Sequence, residues 1–497
     1  MHPDSSLDLT PAARAELWTH VAATMEHYSA GVDAAPVAPA CDPAEVRRYV
    51  DAVDFAQPLA PHDAIEHAAQ GLWRYHLHTA HRRYFGLFNP TPAAMGIAAD
   101  ALTAAFNPQL AAWAHAPFAV EVERRLLREF AGRLGFDPAA ADGTFTSGGA
   151  EANHTAVVTA LLAAFPAVAR EGLRALAGQP TLYVSDESHH SFVKAARACG
   201  LGTDAVRRVA VDDSLRMRPD ALAATIEGDR AAGCLPFLVV ATAGTTSAGA
   251  IDPLPDVADV AAAQGLWLHA DAAWGGAAAL VPELRGALAG IERADSVTLD
   301  AHKWLSVPMA AGMFLTRRRD ALPRAFAISA AYVPPNEAGD TVDPYAHSMQ
   351  WSRRFIGLKL FLSLAVAGWE GYAAALRHQT AMGDLLRAEL VRGGWRVINE
   401  TPLPVVCFED TTGADADAVV RAVVASGDAW VSSTRVGAGR PALRACVTSY
   451  RTGPEDVRTL VRALDDARRR VRVGTPRATS SEAASSEAAP RLDLTAP

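Results

Sequence analysis

The chain has 497 residues, 50% of them hydrophobic and 20% charged, and a net charge of −9 from 46 Lys+Arg against 55 Asp+Glu. That length predicts about two to four structural units with ample apolar core, and the acidic balance without a dense basic stripe excludes nucleic acid as an expected partner. No apolar run reaches the roughly 18 residues needed to span a bilayer, so no membrane partner is expected, and the polar start MHPDSSLDLT holds no secretory h-region.

Two scarce residue types sharpen this. The five cysteines, Cys41, Cys199, Cys234, Cys407 and Cys446, are scattered without CxxC pairs. They predict neither a disulfide framework nor a metal site, and they fit a reducing cytoplasm. Lysine occurs only three times, at Lys194, Lys303 and Lys359. Arginine stays protonated and cannot form an imine with an aldehyde, so a chain this poor in lysine keeps it where a primary amine serves.

In chain order, residues 1–90 read as a helical segment with Pro-rich joints such as AAPVAPACDP. From 91 to about 350, short apolar runs (TLYVSD, PFLVVAT, LWLHAD, DSVTLD, GMFLT) alternate with Ala-rich helical stretches, the pattern of βαβ units and a mainly parallel sheet. Residues 327–350, with PPNEAGD, read as a loop of the kind that closes active sites. WSRRFIGLKLFLSLAVAGWEGY then reads as a long helix, and the large domain is expected to span 91–375. WRVIN, PVVCFE and LRACVTS predict a small α/β domain over 376–470. The low-complexity tail from Val471 predicts disorder over 471–497.

Five features carry chemistry. In DGTFTSGGAEAN, a strand runs into Ser147, Gly148, Gly149 and Ala150 and then a helix. Glycines admit close backbone approach and the helix N-terminus offers free N–H groups, which suits a phosphate, although a plain capped turn reads the same way. In LWLHADAAW, Asp271 ends a strand, where it either caps the next helix or pairs with a pyridinium nitrogen. In DSVTLDAHKW, Asp300 and His302 flank Lys303, which is either suited to hold an aldehyde or a solvated lysine at a strand end, whereas Lys194 and Lys359 read as surface or snorkelling residues of helices. In SDESHHSF, His189 and His190 lack the spacing of a metal site, and His189 fits a ring stacked over a cofactor. Thr246, in ATAGTTSAGAID, is a hydrogen-bonding group in a loop after a strand.

The joint order of SDxxH, ATxGTT, HxDAAW and HKW resembles the group II pyridoxal 5′-phosphate (PLP) dependent amino-acid decarboxylases, over roughly residues 60–465. The resemblance implies fold type I, the aspartate aminotransferase-like α/β fold with a mainly parallel large-domain sheet, a small C-terminal α/β domain and an N-terminal helical segment. It implies PLP bound covalently to Lys303, with Asp271 at the ring nitrogen, His189 stacked on the ring and Thr246 near the ring oxygen or the substrate carboxylate. Ser147, Gly148, Gly149 and Ala150 would hold the phosphate, helped by Asp300 and His302. Arg444 matches an arginine near the substrate carboxylate, and Tyr332 matches the loop tyrosine that protonates the carbanion after CO2 leaves. Two departures stand out: Asp300 replaces an Asn of several relatives, and the cradle SGGAEA lacks extra serines.

For the substrate, YFGLFNPTPAAM matches a pocket-lining segment, which makes Phe88, Asn89 and Thr91 candidates. Trp113 and Pro117 match another, with Ala111 where aromatic-specific relatives often have a ring. An aromatic or hydrophobic L-amino acid is the expected substrate, with an acidic or polar one, or another PLP reaction (aldehyde synthesis, transamination, C–C lysis), as alternatives. A nucleotide-binding α/β protein is disfavoured because neither GxxxxGK[ST] nor GxGxxG is present. The resemblance also implies a homodimer with its active site at the interface.

Overall fold

The computed structural model describes residues 7–328 and 341–474. Three helices, Pro11–Gly31, Pro43–Asp51 and Pro61–Tyr75, form the N-terminal segment. Each begins with the proline that reads as a joint in the sequence, because Pro pre-sets φ and its missing N–H costs nothing at a helix start. Thr10 and Asp42 cap the first two by accepting the N–H groups of Ala13 and Ala44.

Seven strands form the large sheet: β1 Asp142–Thr146, β2 Pro180–Ser185, β3 Val206–Val209, β4 Leu235–Thr242, β5 Trp267–Asp271, β6 Ser296–Asp300 and β7 Gly312–Thr316. Their order is β1-β7-β6-β5-β4-β2-β3. Helices cross between most of them, and the central strands are buried on both faces, as in a sheet covered on both sides. The expected parallel sheet has one exception. β7 runs antiparallel to both β6 and β1, because the chain returns from β6 without a crossover helix. That return seats Gly312 opposite both Asp300 and Thr146. The carboxyl ends of β1, β4, β5 and β6 therefore share one sheet edge, with Asp271 registered against Thr242 and Thr298.

The long helix spans Leu358–Arg392 and turns at Gly368, whose φ of 63° is one that glycine adopts at little cost. Its start is tied down by a buried carboxylate. Glu123 accepts the N–H groups of Ile356 and Gly357, each at 3.0 Å, and pairs with Arg353 at 2.6 Å; Glu123 and Arg353 are both buried. Removing one partner of such a pair leaves the other charge uncompensated. Glu123→Ala is expected to lower the unfolding free energy by about 3–5 kcal/mol, read as a shift of the urea midpoint.

The boundary expected at 375/376 falls inside this helix, which serves both domains. The small domain is a four-stranded antiparallel sheet in the order β10-β11-β9-β8, from β8 Trp395–Val397, β9 Val405–Asp410, β10 Ser432–Val436 and β11 Arg440–Cys446. β10 (SSTRV) has only its last residue buried, so its sequence carries no strand-like apolar pattern. Phe85 joins this domain's core, and its N–H and C=O bond Trp430 and Cys446. The segment around residue 85 thus packs with the C-terminal domain, far from its own helices in sequence terms. The expected tail boundary moves too: the last helix, Pro454–Gly474, carries the chain four residues beyond residue 470.

Lys359 corrects another expectation. It is buried, ion-paired to Asp100 at 3.1 Å and bonded to the Pro308 carbonyl at 3.2 Å, and burial pulls its pKa below the ordinary lysine value. An apolar helix context hid its partner, which lies 259 residues away. Lys194 is exposed as expected.

Candidate active site

Lys303 leaves the turn after β6, half-buried, with its Nζ 2.9 Å from Oδ2 of Asp300. Asp300 is buried and fills the space between two backbone segments. A Cβ on Gly149 would come within 2.7 Å of its Oδ2, and one on Gly312 within 2.7 Å of its Oδ1. The glycine at 149 is thus required by the close approach of Asp300 as well as by any anion above it. His302 accepts the Ala311 N–H on Nδ1 at 3.0 Å, which leaves its proton on Nε2, 3.9 Å from Asp300. Burial holds the His302 pKa below the imidazole norm.

Asp271 sits at the end of β5 with 5% exposure. Its Oδ1 accepts the Ala273 N–H at 3.1 Å and its Oδ2 accepts Asn153 Nδ2 at 2.8 Å. Asn153 is the residue that motif reading missed. Its second amide proton goes to Ser191 Oγ at 2.9 Å, and its Oδ1 accepts from Thr298 Oγ1 at 2.8 Å. All four hydrogen-bonding positions of Asn153 are filled, so Asp271 is held by a side chain that cannot rotate freely. The signal was present: Gly149 and Asn153 are four apart and share the helix face toward the sheet.

His269, on β5, extends this network through its Nε2, 3.2 Å from Asn153 Oδ1, and its Nδ1, 2.8 Å from Ser296 Oγ. Burial lowers its pKa to about 4. Buried His81 is likewise lowered to about 4, chiefly by burial. Both are neutral in the fold, whereas in the unfolded chain they bind protons below the ordinary value near 6.5. Their contribution is therefore full above about pH 6.5 and is lost as pH falls toward about 4. Each is worth on the order of 3 kcal/mol across that window. The unfolding midpoint should fall steeply from pH 7 to pH 4, and His269→Gln should flatten that slope; an unchanged slope would contradict the assignment.

His189 opens onto the same edge. Its Nδ1 accepts the Ser191 N–H at 3.2 Å, so the neutral ring carries its proton on Nε2. The protein packed around the ring, and then the charge of Lys303, hold its pKa low against the pull of Asp271 and Asp300. These four residues thus lie within electrostatic reach of one another. His190 turns away, exposed, toward Arg208. Thr246 is half-buried in the turn after β4.

The residues expected to form a phosphate cradle lie in the turn that follows β1. Gly148 and Gly149 join β1 to the helix Gly149–Ala164, whose first N–H groups have no partner within the helix. Ser147, however, directs both its N–H and its hydroxyl to Glu151 Oε2, each at 2.7 Å. The donors that could face an anion at this turn are the backbone N–H groups of Gly149 and Ala150. A buried carboxylate, a primary amine at a strand end and a free helix N-terminus on one edge form a donor set that fits PLP. A cavity of about 850 Å³ lies elsewhere, at the far ends of β5 and β6, where Arg317 and Arg318 pair with Asp295.

Of the substrate candidates, Phe88 stacks on Trp274 (centroids 4.4 Å apart), and the Arg444 guanidinium lies 4.8 Å from the Phe88 ring. Arg444 is buried and bonds the Gly86 carbonyl at 3.1 Å, while its Nε and Nη2 have no protein partner among the described residues. Thr91 does not join them, because its hydroxyl is given to the Ala80 carbonyl at 2.7 Å. Asn89 Oδ1 accepts the Tyr84 hydroxyl at 3.3 Å. Tyr332 lies outside the described residues.

Residues 43–410 match the pyridoxal-dependent decarboxylase conserved domain. The chain belongs to that family. As a family member it is a PLP-dependent carboxy-lyase of amino acids. It is 31% identical over 407 residues to an aromatic-L-amino-acid decarboxylase of Bacillus atrophaeus, covering 79% of this chain and 82% of the relative. An L-2,4-diaminobutyrate decarboxylase of Rhizobium meliloti is 35% identical over 388 residues, 76% of each chain. The structure of Oryza sativa TDC with PLP and tryptamine superposes on this decarboxylase with a TM-score of 0.86 at 25% identity, covering 93% of this chain and 99% of that one. The fold type I expectation is borne out. No helix among the described residues is long and apolar enough to cross a membrane.

Proposed function

We propose that this decarboxylase acts on an L-amino acid with an aromatic or hydrophobic side chain, releasing CO2 and the corresponding amine. The observation that supports the reading is the buried aromatic pair of Phe88 and Trp274 beside the buried Arg444. Aromatic faces reward a flat apolar side chain through area and ring geometry.

When bound, PLP supplies an electron sink for the charge left as the carboxylate departs. In this reading Lys303 holds it, Asp271 supports the positive ring nitrogen, and the backbone of Gly149 and Ala150, reached past Gly148, receives the phosphate, while Ser147 stays on Glu151. Asp300, His302 and Thr246 complete its surroundings. Asp300 positions the Lys303 amine, and Asn153 fixes the carboxylate of Asp271. His189 presents its Nε2–H to the same edge, and Arg444 offers two buried N–H groups to a carboxylate. Tyr332 is the proposed acid that returns a proton to the α-carbon. We place the enzyme in the cytoplasm as a homodimer. Support comes from five free cysteines and from large apolar side chains left exposed, Phe106, Met309 and Val366 among them.

A second reading has its own support: the unpartnered donors of Arg444 suit an acidic side chain as well as an α-carboxylate. A panel of L-amino acids assayed for amine and CO2 separates the two. The proposal expects kcat/KM for tryptophan, tyrosine, phenylalanine or leucine to exceed that for glutamate, cysteine sulfinate and 2,4-diaminobutyrate by about tenfold or more. Preference for an acidic substrate would overturn it.

A further inference from the structure

Half of the 16 histidines fall in the first 90 residues, before the first strand of the large sheet. We propose that His20, His62 and Glu66 form a binding site for a divalent transition ion of the zinc class, which clips the first N-terminal helix to the third. His62 and Glu66 are four apart on the helix Pro61–Tyr75 and so share one face, while His20 comes from Pro11–Gly31 alongside. One imidazole nitrogen from each histidine and one carboxylate oxygen lie within 4.8 Å of one another. The closest pair, His20 Nε2 and Glu66 Oε1, is 2.9 Å apart, and the two imidazoles stack with centroids 4.1 Å apart.

Donors about 2.0–2.2 Å from a tetrahedral zinc ion sit roughly 3.3 Å from one another. The His20–Glu66 pair, at 2.9 Å, would open by about 0.4 Å to reach that spacing, and the third donor belongs to His62, whose exposed side chain (61%) is free to close. The Asp63 carboxylate, 3.6 Å from His62 Nδ1, is the type of outer partner that orients a ligating imidazole. Two imidazoles and one carboxylate are a borderline ligand set that favours Zn2+, Co2+ or Ni2+ over Mg2+ or Ca2+. Three protein ligands leave a fourth position for water or for a group from another chain.

The segment has a structural need for such a clip. None of the three N-terminal helices buries a residue of its own in this protomer. The first and third helices meet instead through rings, with His27 and Tyr28 against Trp73. A metal bond between them adds the cohesion that apolar burial does not supply. The alternative is a hydrogen-bonded His–Glu pair with a stacked neighbour and no affinity for metal.

The test uses the full-length holoenzyme, freed of metal by a chelator and titrated with Co2+, whose visible absorption reports tetrahedral nitrogen and oxygen ligation. Zn2+ is then added as the competitor. One Co2+ per chain is expected, displaced by Zn2+, with the thermal midpoint of the metal-loaded enzyme raised. His20→Ala and Glu66→Gln should each weaken the affinity about tenfold or more. His67→Ala, at a histidine of the same helix stacked on Tyr49 instead, should leave it unchanged. Retained decarboxylase activity in each variant shows that it is folded. Failure to saturate at one ion per chain overturns the proposal, as does equal affinity in the parent, His20→Ala and Glu66→Gln.

Discussion

Lys303→Ala is expected to abolish the visible absorbance of the lysine-bound cofactor and to lower turnover by about 10³-fold or more. The physical reason is the loss of the one primary amine on the sheet edge that carries Asp271, Asp300 and His302. Lys359 cannot replace it, being buried against Asp100, and Lys194 is exposed on a helix. Lys303→Arg sharpens the test. A guanidinium keeps the positive charge facing Asp300 but forms no imine, so this variant should fold like the parent and still lack both absorbance and activity. Unchanged absorbance in either variant would place the cofactor on another residue.

Asp271→Ala should lower kcat by about 10²–10³-fold with a much smaller change in KM, because in the proposed role its negative charge would support the cofactor's electron-sink chemistry in the transition state more than substrate binding. Asn153→Ala tests how that carboxylate is held. It leaves Asp271 with one donor, the Ala273 N–H, and takes the amide away from Ser191 and Thr298. A cost of about 1–3 kcal/mol in stability is expected for the stranded polar groups, together with a fall in kcat. Equal loss of stability with full kcat would show that Asn153 serves the fold alone.

Much of this site is legible in the chain because its parts are local. Strand-end carboxylates, glycine turns and the His-Lys pair each occupy a few consecutive residues whose chemistry constrains what they can do. Their order along the chain then restricts the fold, since successive βαβ units deliver strand ends to one edge. Lys359 shows the limit: its burial depends on Asp100 and on the carbonyls of Pro308 and Met309, none of which is near it in sequence. Ser147 shows another, since a carboxylate one helical turn later takes the donors expected to face an anion.

The sequence by itself determined the α/β alternation and the family, and it singled out Lys303 as the lysine proposed to hold the cofactor, because short-range pattern and residue chemistry suffice for these. Only the tertiary structure decided that β7 runs antiparallel, that Phe85 completes the core of the small domain, and that Asn153 locks Asp271. It alone brought His20 beside His62 and Glu66. Those outcomes depend on which distant groups fill a given volume and satisfy a given buried polar atom, and packing of that kind leaves no periodic trace in the chain.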